Sequence, residues 1–201
     1  MASTASPYGF KAVNELGGLP YAGSTRTFLI DPAGYNTNIF NGTVVAINTS
    51  GYINIVVTNG DNSTPFPAGT IGVFVGCSYY NAQGQLIFSQ YYPANTTGVV
   101  QAFVIDDDRA VFQVQAAGSL GQTALGMNAI LNAAQSTSTG STTTGNSNTA
   151  ISTSVADTAT YAFKIIGFVN STTSQVGDDY TDVLVKFNVG SHAYNTALGV
   201  A

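Results

Sequence analysis

The sequence predicts an all-β fold: a single antiparallel β-sandwich or barrel domain with an extended N-terminal arm and at most one short helix. Three observations predict it. Short runs rich in Val, Ile, Phe, Tyr and Thr recur along the chain, about nine or ten of them, separated by Asn, Gly, Asp and Pro turns. Asp182 to Val189 alternates strictly, with Val183, Val185, Phe187 and Val189 facing in and Asp182, Lys186 and Asn188 facing out. Hydrophobic residues make up 44% of the 201 residues, with eleven Tyr and eleven Phe, which is enough to bury one core. No internal repeat and no second domain is visible.

Residues 1–26 are rich in Gly, Pro, Ser and Thr, with isolated aromatics at Tyr8, Phe10 and Tyr21 and no helical or strand period. They read as an extended arm whose aromatics anchor against another surface, the alternative being a disordered terminus. The β-domain spans 27–201. Thr27 to Asp31 forms a first strand, stopped by Asp31-Pro32. Thr43–Ile47 and Tyr52–Val57 flank Asn48-Thr49-Ser50-Gly51 and predict a hairpin. Asn59 to Asn62 and Pro65-Phe66-Pro67 read as an exposed loop.

Ile71–Tyr80 and Gln85–Tyr91 predict a second hairpin, around Asn81-Ala82-Gln83-Gly84. Tyr92 to Thr97 then breaks the ladder, because Pro93 has no N–H to donate. Val99–Ile105 is expected to pair with Ala110–Ala116 across Asp106-Asp107-Asp108-Arg109. In the latter run Ala110, Phe112 and Val114 share one face, with Gln113 and Gln115 on the other. Thr123 to Ala134 holds the residues of a short helix, although Gly126 weakens it. Residues 135–148 are entirely polar or Gly and predict either a mobile surface loop or a segment ordered only by a partner. Tyr161–Val169 and Asp182–Val189 close the domain as strands.

Charged residues are only 7% of the chain, against roughly 25% in ordinary soluble proteins. The surface is therefore covered by hydroxyl and amide side chains, which tolerate close contact with another protein because few charges need desolvating. The net charge is −5 with five Lys and Arg and no basic cluster, which excludes direct reading of nucleic acid through phosphate contacts. One cysteine, Cys77, forms no internal disulfide, and His192 as sole histidine rules out zinc-type spacing. The chain begins without a basic, apolar leader and contains no run of roughly twenty apolar residues, so it is expected to be soluble, off the membrane and made in a cytoplasm.

No nucleophile elbow, metalloprotease, dinucleotide or phosphate-loop motif occurs, so neither an enzyme nor a cofactor is expected. Asp106 to Asp108 could supply metal oxygens or an acid/base pair. Consecutive residues point in different directions, however, and calcium loops alternate their acids. A turn role is the expectation, with Arg109 pairing one of the three. Asp178, Asp179 and Asp182 form a second acidic group, read in the same way. Cys77 lies in an apolar strand and reads as a small buried hydrophobe. The N-x-[ST] triplets at Asn41, Asn48, Asn62, Asn95 and Asn170 follow from composition.

Pro7-Tyr8-Gly9-Phe10 followed by Gly17-Gly18-Leu19-Pro20-Tyr21 resembles the start of tailed-bacteriophage head decoration, or capsid cement, proteins. The resemblance continues through Gly76-Cys77-Ser78-Tyr79, Tyr92 to Thr96, Ala102 to Asp107, Phe112 to Gln115, Gly126-Met127-Asn128 and Lys186-Phe187-Asn188. Two positions depart from the family pattern: Tyr92 and Asn95 stand in a Trp-Pro-Ala-Gly-Thr motif, and Asp108 stands where Asp-Asp-Pro is usual. The resemblance implies a protein on the outer surface of an icosahedral virion head that bridges neighbouring copies of the major capsid protein. It also implies a homo-oligomer, a trimer before a dimer. Pro7, Tyr8, Phe10, Tyr21 and Arg26 are then the expected capsid contacts. The alternative from the same composition is a receptor- or glycan-binding β-domain of a phage fibre or other surface structure, using exposed Tyr and Asn around a concave site.

Overall fold

The computed structural model describes residues 4–133, 135 and 139–200, and among these twelve strands, numbered in chain order, form two six-stranded sheets packed as a sandwich. The first sheet runs β1 (Lys11–Glu15), β8 (Ala110–Gln115), β12 (Asp182–Phe187), β11 (Phe163–Phe168), β9 (Asn128–Leu131), β10 (Ile151–Ala156). The second runs β2 (Arg26–Ile30), β7 (Val100–Ile105), β5 (Thr70–Tyr80), β3 (Thr43–Ile47), β4 (Ile53–Ile55), with β6 (Leu86–Ser89) on the far half of β5. All strand pairings are antiparallel, as expected of all-β sandwiches.

Both predicted hairpins form. Asn48 closes the first, its Oδ1 accepting from Ser50 N and Tyr52 N, and Asn81 closes the second, its Oδ1 accepting from Gln83 N and Gln85 N. In each case an Asn side chain takes the place of a backbone acceptor, which is what suits Asn to turns. The alternation over β12 is also as predicted up to Phe187: Val183, Val185 and Phe187 are buried. Val189 is not, because the strand ends at Phe187 and the chain turns away.

Val99–Ile105 and Ala110–Ala116 do not pair. β7 lies between β2 and β5 in the second sheet, whereas β8 lies between β1 and β12 in the first. Asp106 to Arg109 is thus a crossover between layers. A turn made of Asp and Arg serves a hairpin and a crossover equally well, so local chemistry could not separate them. The predicted helix over Thr123 to Ala134 is replaced by a 3-10 turn at Gln122–Ala124 and by β9, Ala134 lying outside the described residues. Backbone pairing of β9 with β10 and β11 outweighs the helix propensity of Ala, Leu and Met, which is a weak determinant beside tertiary pairing.

Between the sheets lies an aromatic core. Phe163 stacks on Phe10 at 4.9 Å and contacts Phe187 at 5.0 Å and Phe66 at 5.5 Å, while Phe112 meets Phe10 and Phe187 edge-on. Phe66 belongs to the stretch expected to be an exposed loop; its ring is instead buried in this core. The second sheet also has a buried outer face. There Val45, Ile53, Ile71, Phe74, Cys77, Val100, Ala102 and Val104 pack under loops carrying Ile39 and Tyr92. Ile39 and Tyr92 exchange backbone hydrogen bonds of 3.1 and 2.7 Å, which knits the two covering loops together.

Positions 92, 95 and 108 are each accommodated locally. Asn95 takes φ +61°, the left-handed conformation that Asn tolerates better than most side chains and that Gly would supply freely. The Tyr92 ring is fully buried and its hydroxyl lies 3.2 Å from both the Tyr35 and Thr96 carbonyls, donating to one of them. Asp108 occupies the second position of a turn closed by Ala110 N donating to Asp107 O, a position where Pro is favoured but not required.

Residues 135–148 fall partly outside the described residues (136–138), and the described part is tied down. Gln135 is buried, its Oε1 accepting from Val44 N and Thr149 Oγ1 and its Nε2 donating to Val56 O. Asn41 N donates to Gly145 O and Ser147 N to Asn41 O, which holds the segment against the start of β3.

Candidate interaction cleft

The N-terminal segment is built into the domain. Ser6 N donates to Gln115 Oε1 at 2.8 Å, and Gln115 Nε2 donates to the Thr4 carbonyl at 3.2 Å, which covers the side of β8 predicted to be solvated. At Gly9 the chain crosses Gly42 so closely that a Cβ on Gly9 would lie 2.9 Å from the Gly42 Cα, and both residues have positive φ. Phe10 N donates to Gly42 O, and the ring enters the central core at 1% exposure. β1 then pairs with β8, and the chain folds back, with Glu15 N donating to Leu19 O.

The expectation of a free arm over 1–26 is therefore corrected for the described residues: Phe10 is a core residue and is unavailable as a surface contact. Its burial follows from the ring's apolar area, for which Phe163 provides a stacking face and Phe112 an edge. Only the isolated spacing of the aromatics was visible in the sequence. That spacing fits an intramolecular anchor as well as an intermolecular one.

Between β1 and the second sheet opens a cleft of about 620 Å³. Tyr8, Phe10, Lys11, Ala12, Val13 and Tyr21 form one wall, Val75 and Ile105 the apolar floor, and Asn41, Gln90, Gln113 and Asn146 the amide rim. Gln90 Nε2 donates to Asn146 Oδ1 at 2.7 Å, which fixes two of these amides in place. Of the five expected contact residues, the cleft brings together Tyr8, Phe10 and Tyr21; Pro7 and Arg26 are not among its lining residues.

Tyr8 lies beside Lys11, whose Nζ sits 5.2 Å from the ring centre. Burial, reinforced by the neighbouring Asp182 carboxylate, pushes the Tyr8 hydroxyl far above its usual pKa. Asp182 is itself pushed up by desolvation, although Tyr8, Gln113 and Lys11 oppose the shift. Both groups are consequently held towards their protonated forms. Tyr21 is also raised, first by burial and then by Asp107, Asp106 and Glu15. The cleft is thus lined mainly by aromatic, apolar and amide side chains, with one cation, Lys11.

Arg26 belongs to a different cluster. Its Nε lies 3.0 Å from Asp106 Oδ2, and its Nη1 donates to the Tyr194 hydroxyl at 2.7 Å. The Tyr194 hydroxyl in turn donates to Asp106 at 2.7 Å. Burial and the Asp106 carboxylate push Tyr194 up to about 12. Arg109 does not pair with an Asp side chain as expected: its guanidinium donates to the Leu16 carbonyl at 3.3 Å, while its backbone N–H donates to Asp107 Oδ1 at 2.8 Å. Asp106 and Asp107 are thus engaged in different directions. Asp178 accepts from Gln175 N at 2.9 Å within its own turn. Among the described residues no three His, Cys, Asp or Glu side chains gather as a metal site. Cys77 is buried, with its thiol pushed up to about 12 by desolvation, which makes it inert as a nucleophile.

The amides of the rim were not legible beforehand, because Asn and Gln recur throughout the chain and only Gln113 stood out by alternation. In comparisons with known proteins the chain matches no family model, and no curated protein and no solved structure shows significant similarity to it.

Proposed function

We propose that this chain is a non-enzymatic structural protein of a virion that docks on the outside of an icosahedral head and cements neighbouring copies of the major capsid protein. What supports the reading is the resemblance carried by Pro7 to Phe10, Gly76 to Tyr79, Tyr92 to Thr96 and Ala102 to Asp107, together with a surface that has 7% charged residues. The observation that carries it is the cleft, whose lining is aromatic, apolar and amide apart from Lys11, so that a partner covering it has only one charge to accommodate. Outward pressure from packaged DNA would then have to break this contact at every seam, and repetition over a symmetric shell multiplies a modest affinity.

Purified heads lacking this protein test the reading. Saturable binding of the added chain, together with a higher temperature of head rupture, is expected. Tyr21→Ala with Lys11→Ala should lower occupancy by about tenfold, as for loss of roughly 1.4 kcal/mol of contact energy. Full occupancy and full heat protection by that variant would remove the cleft from the contact.

The same cleft favours one second reading. Aromatic rings beside fixed amides in a concave site are what a glycan-binding domain presents, so a receptor- or glycan-binding role is the alternative. A glycan array separates the two, since sugar binding in the absence of head binding would replace the first reading with the second.

A further inference from the structure

The geometry points to β6 as a self-association edge, through which a second copy of this chain pairs antiparallel about a two-fold axis at Ile87. This stands apart from the docking reading, since it concerns the isolated chain.

Strand edges expose unpaired N–H and C=O groups, and proteins normally protect them with charge, proline, bulges or very short strands. The other four free edges carry such protection. β1 has Lys11 and a bulge between Ala12 and Asn14, β2 starts at Arg26, β4 has three residues, and the pairing of β10 is bulged between Ile151 and Val155. β6 is short as well, at four residues, but its sequence LIFS carries no charge and no proline, and it pairs with β5 in unbroken register. Among the described residues, Leu86–Ser89 make no backbone hydrogen bond beyond those to β5.

Side-chain placement adds an independent observation. The register Leu29↔Gln101↔Ser78↔Phe88 and Tyr80↔Leu86 puts these residues on one face of the second sheet, since residues directly opposite share a face. That face belongs to the central core at Val73 and Ile105 and then runs out beyond it. On the overhang Phe88 is 72% exposed, Tyr80 63% and Leu86 49%. A partner strand there would cover large apolar side chains now in water.

The occupant follows from charge and symmetry. No Lys, Arg, Asp or Glu occurs between Asp61 and Asp106, so two copies of a chain with net charge −5 can meet here without opposing like charges. Side-chain faces also restrict the register to those with a residue on the axis, and centring on Ile87 is the choice that sets Leu86 against Phe88. With Ile87 on the axis, Leu86 of one copy lies opposite Phe88 of the other, both on the overhanging face, whereas a shift of one residue would oppose an inward and an outward side chain. A two-fold axis makes the contact self-complementary.

The register makes the test specific. Ile87→Cys places two thiols opposite each other across the axis, within the Cα separation of roughly 4.4–6.8 Å that a disulfide spans. The buried Cys77 thiol is too poorly ionised to compete. Under mild oxidation the variant should form a covalent dimer at least about tenfold faster than Ser154→Cys on the exposed β10 edge, and adding Phe88→Glu should abolish that advantage. Equal rates for the two cysteine variants would overturn the proposal. Sedimentation of the unaltered chain and of Phe88→Glu provides a second readout that needs no new cysteine. A concentration-dependent rise towards twice 20.7 kDa, lost in Phe88→Glu, is expected. A monomer at all concentrations, or association unaffected by Phe88→Glu, would exclude β6.

Discussion

The two sheets solve the problem of burial differently. The first keeps its alternation along β12, where Val183, Val185 and Phe187 are buried while Asp182, Leu184 and Lys186 are half-buried, and its outer side is covered at β8 by the N-terminal segment. The second sheet is buried on both sides, by the aromatic core on one and by the loops carrying Ile39 and Tyr92 on the other. A sheet covered on both faces needs no alternation, which is why β3 (TVVAI) and most of β5 read as continuous apolar runs. The comparison shows that loops can complete a core when backbone bonds knit them together.

Removing a ring from the shared core should hurt most. Phe163→Ala, which deletes the partner of Phe10, Phe66 and Phe187, is expected to cost about 3–5 kcal/mol in guanidinium unfolding. Ile39→Ala in the loop-covered core should cost less, about 2 kcal/mol, because a loop relaxes onto a cavity more readily than a sheet does. Equal losses would mean that the loop layer is as rigid as the sheet opposite.

Phe10→Ala tests which side of the comparison the N-terminal segment belongs to. As a core residue it should also cost about 3 kcal/mol or more, whereas a detachable arm would show no change in the unfolding midpoint. Tyr92→Phe removes only a hydroxyl from the loop-covered core and should cost about 1 kcal/mol, read from the same denaturation curves.

The smallest effect concerns acid. His192 is buried, Tyr194 N donates to its Nδ1, and desolvation holds its pKa below the usual value, despite opposing effects from the Ile71 carbonyl and Asp106 to Asp108. The unfolded chain therefore binds the proton more readily than the folded one. Stability should be full above the unfolded pKa of about 6.5 and fall as the pH drops below it. His192→Gln should flatten the unfolding midpoint between about pH 7 and 5. Asp182, raised by burial, works in the opposite sense: its strain is present once the carboxylate ionises and is relieved as pH falls into the carboxylate range.

Much of the fold was legible where one local signal had one meaning. The Asn-closed hairpins and the alternation of β12 are of that kind. β1, with KAVNE, was not, because two charges and a bulge disguise a strand whose partner lies about a hundred residues away. β9 was masked by Ala and Leu, which favour helices until neighbouring strands claim their backbone. The cleft was legible only through its aromatics. Its floor and amide rim come from six separate stretches of chain, and no local pattern announces such a meeting.

The crossover at Asp106 to Arg109 has a bearing on biosynthesis. It sends β8 to pair with β1 and β12, and Phe10 waits for Phe163, so the first strand to be synthesised has partners among the later ones. Closing loops of this length carries an entropic cost before any contact repays it, and sandwiches of such topology fold in about milliseconds to seconds. On the ribosome the second sheet, continuous in sequence from β2 to β7, can assemble early. The first strand therefore waits for β8, and its Phe10 for Phe163, before its contacts are complete.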